Sequence, residues 1–314
     1  MISLDDLREA VDAHHAAVRF AVPLAHVPGD VAAEGGRVLL TYDSTQVAGV
    51  RDGWNLERPT GLAGLGWTLE TAAITRDATG YRLRLDGVDY RLIPSASGYA
   101  TDPHAFWRIS YDARTETWTI VREDGVRLLF GGDGAVDWGY AINGWPGASV
   151  QTAGRARVAN AWWLVSRTDA WGNATAYAYL QDTAVLSGGA TYVRATYPLR
   201  VTGPDGGRIE FGYTDKTPAE YAGPRDDSPA RQSRYGTRAL VTLAEVSPGG
   251  ATLTTTTLGY AEPTGGLAVV GTGDREKRLL TSLTRTVPGA TRRRGWTSAT
   301  TPRRSRRRTA RCCG

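Results

Sequence analysis

The segment that most narrows what this chain can fold into is Tyr81–Leu92, Y-R-L-R-L-D-G-V-D-Y-R-L. Tyr81, Leu83 and Leu85 alternate with arginines as far as Asp86-Gly87, after which Val88, Tyr90 and Leu92 alternate back. A period of two puts every second side chain on one face of a strand, and Asp-Gly between two such runs is a hairpin turn. The same grammar recurs. Trp107, Ile109 and Tyr111 lead to a turn at 113–115 and return as Trp118 and Ile120, and Trp118–Phe130 turns again at Asp124-Gly125. Residues 162–179 turn at 169–173, around Asp169, Gly172 and Asn173, and residues 199–213 turn around Asp205–Gly207. These last two share a degenerate internal template that closes on an aromatic, one residue, then Tyr: Tyr177-Ala178-Tyr179 and Phe211-Gly212-Tyr213. One hairpin in water leaves an apolar face uncovered and is marginal. Joined edge to edge, hairpins satisfy one another's backbone groups. The expectation is a mainly β protein, a large antiparallel curved sheet built from successive hairpins.

The other organising stretch is Thr60–Leu69, T-G-L-A-G-L-G-W-T-L. Gly61, Gly64 and Gly66 permit positive φ or close backbone approach and deliver Trp67 into the strands as an anchor for the core. The first nineteen residues read differently. Ser3 and Asp6 form a capping-box-like start, and Leu4, Leu7, Val11 and Val18 recur at helical spacing, which predicts a helix over 2–19. Strand-like segments begin at Phe20, and longer loops are expected at 135–158 and 216–234. Further strands are read at 239–246, 251–260 and 279–285, giving a β domain over 20–289.

The formal charge of +5 hints at a polyanion partner, yet nine arginines and no acidic residue lie in 290–314, leaving the other 289 residues with 28 basic and 32 acidic side chains. Nucleic acid binding is therefore expected only through this Arg-rich tail. The tail lacks alternation, and two readings stay open: an exposed basic tail, or the out-of-frame product of a GC-rich coding sequence. Both cysteines, Cys312 and Cys313, sit in it, and with His14, His15, His26 and His104 they offer no zinc spacing. No apolar run is long enough for a membrane span, and no Sec-type leader is visible.

Val38–Ser44, V-L-L-T-Y-D-S, followed by G-L-G-W-T-L at 64–69, resembles the opening signature of the SpvB (virulence plasmid B) family, shared with the TcdB/TcaC-like B component of insecticidal toxin complexes. W-T-I with D-G-V-R-L-L-F-G at 118–131 is similar to the same family, as are 163–179, 231–243 and 277–285, while the repeated hairpin resembles the YD repeat of Rhs proteins. The resemblance implies a bacterial virulence protein, a non-catalytic part of a β shell that encloses or presents a toxin. It also implies protein partners, and release by a route without a visible Sec signal or a cytoplasmic stay before release. In that family the shell continues well past such a domain, which would make this a truncated member. Its separate ADP-ribosyltransferase domain carries a Glu-x-Glu that is absent here.

No catalytic residue, cofactor or metal is expected. G-L-A-G-L-G at 61–66 would need a following helix to cradle a phosphate, and W-T-L-E-T reads as strand. The residues expected to matter are structural: Gly61, Gly64, Gly66, Trp67, Asp86, Gly87, Trp118, Asp124, Gly125, Trp163, Asp169, Gly172, Asn173 and Tyr177. Two alternatives stay open. One is a carbohydrate- or protein-binding module using Trp54, Trp138 and Trp145. The other is a glycoside hydrolase, which would need two of the turn carboxylates of Asp43, Asp86, Asp124, Asp169 and Asp205 facing each other across a cleft.

Overall fold

The computed structural model describes residues 11–12, 17–28, 36–45, 62–77, 79–142, 145–146, 157–185, 189–217, 236–261, 278–289 and 294–295. It is a protein of strands. Among the described residues no helix exceeds the two residues 44–45. The first sheet is a small antiparallel one in the order β1 (Val11–Asp12), β2 (Ala17–His26), β3 (Arg37–Asp43) and β4 (Trp67–Leu69). The helix expected over 2–19 is thus corrected where the structure speaks: 11–12 and 17–26 are extended. Residues 2–10 and 13–16, His14 and His15 included, lie outside the described residues. The physical reason is that Val18, Phe20, Val22 and Leu24 also alternate with period two, and seven residue pairs of backbone ladder from Arg19↔Asp43 to His26↔Arg37 outweigh a four-residue helical pattern.

The remaining strands form one large sheet that closes on itself. An antiparallel meander runs through β5 (Ala73–Asp77), β6 (Gly80–Leu85), β7 (Val88–Ser95), β8 (Gly98–Asp102), β9 (Arg108–Asp112), β10 (Thr117–Val121) and β11 (Arg127–Gly131). The hairpin read from 81–92 is the β6–β7 pair, and Asp86 (φ 51°) and Gly87 (φ 77°) take the two left-handed positions of its turn. After β12 (Val136–Ile142) and β13 (Trp145–Pro146), the strand β14 (Arg157–Thr168) acts as the junction of the molecule. Its first half pairs with β12 and β5, and its second half with β11 and β15 (Ala174–Val185). Pairing Trp162↔Ile74 closes the barrel through strands almost ninety residues apart in sequence. Beyond β15 the sheet continues through β16 (Thr191–Thr202), β17 (Arg208–Asp215), β18 (Arg238–Val246), β19 (Thr252–Ala261), β20 (Leu279–Thr286) and β21 (Arg294–Gly295).

Two cores result. Inside the barrel, Ile74, Leu83, Leu85, Leu92, Ile109, Ile120, Leu128 and Phe130 surround Trp118 and Trp162. The second core lies between the small sheet and the extension of the large one, with Leu24, Val27, Val38, Leu40 and Leu69 facing Val201, Ile209, Phe211, Leu240, Leu243 and Leu258. Tyr177 packs against both. Trp67, expected as an anchor for the core, packs half-buried at the border of the second core, edge-on to Phe20 at 5.4 Å and 5.1 Å from Tyr42. Trp67→Ala is accordingly expected to cost only about 1–2 kcal/mol in a urea melt. A loss of the size expected for a fully buried tryptophan would mean that the trio holds the small sheet together by itself.

Candidate functional site

The turn aspartates are occupied locally. Asp43 accepts from the Thr45 N–H and hydroxyl and pairs with Arg19, Asp205 accepts from the Gly207 N–H, and Asp124 from the Val126 N–H. Asp169 accepts from the N–H groups of Trp171 and Asn173 and from the Asn173 amide, and this Asn173 contact is the main reason its carboxyl titrates below the ordinary range. Gly172 and Gly125 sit at positive φ in these turns. Asp86 and Asp124 meet only across Arg122, whose guanidinium pairs with both at 3.4 and 3.3 Å. Charges bonded in this way explain the turns without chemistry. Among the described residues no group of three or more His, Cys, Asp or Glu could hold a metal ion. The glycine turn leads into strand β4 and not a helix, which removes the requirement for phosphate cradling. Gly61 lies outside the described residues.

Of the three tryptophans considered for carbohydrate, Trp54 and the Trp145 side chain lie outside the described residues, and Trp138 is half-buried with Arg157 over its ring at 4.3 Å. A cleft of about 520 Å³ does open between the small sheet and the barrel, with Glu70, Asp86, Arg122 and Arg167 at its polar side and Leu69, Leu164, Tyr177 and Phe211 at its apolar side. Arg167, buried, reaches Asp86 at 3.6 Å.

The most organised feature is a step repeated across the sheet. At Leu129/Phe130, Ala178/Tyr179, Gly212/Tyr213 and Gly259/Tyr260 the register slips by one residue, leaving Val165, Leu199, Val241 and Thr281 of the following strand bulged. Three of the four steps carry tyrosine, and each hydroxyl donates to a carbonyl at the step before: Tyr179 to Leu164 (2.7 Å), Tyr213 to Pro198 (2.6 Å) and Tyr260 to Leu240 (2.5 Å). The acceptors are themselves the residues that face Phe130, Tyr179 and Tyr213 across the slip. Burial pushes the Tyr179 and Tyr213 phenols well above their ordinary range, which keeps both as donors. The residue two before each tyrosine, Tyr177, Phe211 or Leu258, enters the second core, and the residue between must be small. A Cβ on Gly212 would stand 2.2 Å from the Thr242 hydroxyl, and one on Gly259 would stand 2.3 Å from that of Ser282.

These tyrosines work where backbone pairing gives out. Within the hairpin β14–β15 pairing spans only Ser166–Thr168 with Ala174–Ala176, and within β16–β17 only Arg200–Thr202 with Arg208–Glu210. Between hairpins it runs the whole strand, Ala176–Val185 with Thr191–Thr202 and Arg208–Asp215 with Arg238–Val246. Each of these two hairpins is held more by its neighbour than by itself.

No protein-family model and no curated protein matches the sequence. Solved structures do match the fold. The N-terminal domain of the effector protein SpvB from Salmonella typhimurium strain LT2 aligns over 85% of this chain and 98% of that domain, with a TM-score of 0.50 at 12% identity. The crystal structure of TcdB2-TccC3 aligns over 86% of this chain with a TM-score of 0.52 at 13% identity, and this chain spans 15% of that one. The fold is the one shared by the SpvB N-terminal domain and TcdB2-TccC3. Within this SpvB-like fold, sequence reading found the hairpins but missed the tyrosine steps, although the Ala178-Tyr179 and Gly212-Tyr213 closings were the visible trace of two of them. Trp162 was missed as well: it is 1% exposed, whereas the expected Trp163 is half-buried and donates its indole N–H to Asp137 at 2.9 Å. Tyr213→Phe is expected to cost about 1–2 kcal/mol in a urea melt by stranding the Pro198 carbonyl. An unchanged midpoint would show that the hydroxyl adds nothing to the step.

Proposed function

We propose that this chain is a non-catalytic structural part of a toxin-complex B or SpvB-type protein, a stretch of β wall that encloses or presents a toxin polypeptide. The observation that carries the reading is the inversion just described, in which pairing between hairpins exceeds pairing within them. A sheet made this way gains its stability by adding hairpins sideways, which suits a wall and gives no reason for a reaction centre. The SpvB-like fold supports the same role, since one of the two solved structures is by its name a domain of an effector protein. Partners of such a wall are polypeptides. Among the described residues no helix is long and apolar enough to cross a membrane, and the wall would act after release from the producing cell.

The test is co-expression with polypeptides encoded next to it, followed by limited proteolysis and native mass spectrometry. A stoichiometric complex in which the partner resists digestion is expected. A partner digested equally with and without the chain removes the enclosing role, and turnover of glycosides by the purified chain removes the non-catalytic one.

A further inference from the structure

The cleft between the small sheet and the barrel is built by the same failure of pairing that the tyrosines bridge. β14 and β15 stop pairing at Ser166↔Ala176, whereas β15 goes on pairing with β16 through Tyr177↔Val201, Ala178↔Arg200 and Tyr179↔Pro198. The two strands part there, and the Tyr179 hydroxyl spans the gap to the Leu164 carbonyl. The link from β4 to β5 crosses the opening, with the Glu70 N–H donating to the Leu39 carbonyl at 2.9 Å and the Leu164 N–H to that of Ala72 at 3.1 Å. What remains is about 520 Å³, inside the range of small-ligand sites, and every residue lining it is a described one.

Four arginines line the cleft, Arg37, Arg122, Arg167 and Arg200, against two carboxylates, Glu70 and Asp86, an excess of two positive charges. Asp86 is shared by Arg122 at 3.4 Å and Arg167 at 3.6 Å, both longer than the roughly 2.7–2.9 Å of a charge-assisted hydrogen bond, and the Arg122 Nε is buried with no hydrogen-bond partner. A Cβ on Gly87 would stand 3.2 Å from Glu70 Oε1, so both carboxylates gather at the β6–β7 turn. Arg37 and Arg200 belong to β3 and β16, beside Val38 and Val201 of the second core, and both are exposed. Glu210, opposite Arg200 across β16–β17, is already held by Arg208 at 2.7 Å. The excess charge therefore lies on the second-core side of the cleft, next to an apolar wall of Leu69, Tyr177 and Phe211.

We propose that this cleft binds a short acidic and apolar segment of a partner polypeptide, with a carboxylate held between Arg37 and Arg200 and an adjoining apolar side chain laid on Leu69, Tyr177 and Phe211. A guanidinium fork matches a carboxylate in shape as well as in charge. A basic segment would add to the excess charge, and a bare phosphate would leave the apolar wall in water. This deepens the wall reading by naming the chemistry of its partner, and rests on it.

The probe is the blocked tripeptide acetyl-Leu-Glu-Phe-amide, titrated calorimetrically onto the full chain at low salt, with hydrogen exchange locating the site. Saturable binding that protects the 70–72 link and Tyr177–Tyr179 is expected, together with roughly tenfold weaker binding when the peptide's glutamate is glutamine. Arg200→Glu changes an exposed residue and should weaken the acidic peptide by roughly tenfold or more while the strand spectrum stays that of the parent. Absence of binding, protection elsewhere, equal affinity of the two peptides, undiminished binding by a folded Arg200→Glu chain, or displacement of the peptide by an equal concentration of inorganic phosphate would each overturn the proposal. A chain that shields its partner from protease but ignores the peptide loses only this cleft, and a chain that binds the peptide but shields nothing loses the wall, so the two failures are told apart.

Discussion

Trp118→Ala is expected to lower the stability of the chain by about 3–5 kcal/mol, the largest effect of any single truncation in the barrel. The indole is 0% exposed and lies at the centre of an aromatic cluster: Tyr111 stacks on it at 4.6 Å, Tyr81 and Tyr99 lie at 4.8 Å, and Trp162 meets it edge-on at 5.7 Å. Removing it opens a cavity in a ring of strands that cannot collapse, because each is paired on both sides and the closure at Ile74↔Trp162 fixes the circumference. Phenylalanine at the same place should cost far less, about 1–2 kcal/mol, since the Trp118 indole N–H has no hydrogen-bond partner and its loss leaves nothing unsatisfied. Urea melts of the two variants read this directly. An alanine variant as stable as the phenylalanine one would mean that the cluster is loosely packed and the barrel is held by its backbone alone.

What the sequence made legible was local. Tyr81–Leu92 could be read as a hairpin because its alternation and its Asp86-Gly87 turn lie within twelve consecutive residues, and β6 and β7 follow that reading. The closure of the barrel was not legible, because the segment around Ile74 and that around Trp162 carry no mark of their partnership; a curved sheet was expected and its edges were found joined. The bulges were hidden for the same reason. A slipped register is a property of two strands, and Tyr213 next to Gly212 shows its meaning only when Val241 is seen to be skipped opposite it. Trp162 and Trp163 illustrate the limit of a one-strand pattern: Trp162 is buried in the barrel core while Trp163 donates its indole N–H to Asp137, and nothing in the sequence of β14 alone says which of the two neighbours enters the core. The N-terminal segment failed differently, since its strand identity comes from the pairing with β3. For the candidate site, the turn aspartates were placed correctly in turns, while the carbonyl acceptors at Leu164, Pro198 and Leu240 had no sequence signal, every residue having a carbonyl.

Glu245→Ala is expected to cost about 2–4 kcal/mol and to release the small sheet selectively from the large one. The carboxylate is 7% exposed and gathers three donors from three strands: the His26 N–H of β2 at 2.9 Å, the Thr254 hydroxyl of β19, and one Arg285 guanidinium nitrogen of β20, 2.9 and 2.8 Å from its two oxygens. The His26 contact is a polar tie between the two sheets. Among the described residues the two sheets are also tied by the Thr256 hydroxyl donating to the Leu24 carbonyl, the Leu240 N–H to the Leu62 carbonyl, and the Leu65 N–H to the Arg278 carbonyl. Arg285 is half exposed and can return to water, so its loss of a partner costs little, whereas the His26 N–H lies at the sheet junction and has no substitute acceptor on the alanine side chain. Hydrogen exchange should therefore rise first in Arg37–Leu40 and Ala17–His26, while Leu83 and Ile120 inside the barrel keep their protection. A Glu245→Gln variant retains one acceptor oxygen for His26 and should lose less than half as much. If exchange rose evenly over both sheets, or if the glutamine variant were as damaged as the alanine one, the carboxylate would be acting through charge on the whole wall and not as the stitch that fastens the second core shut.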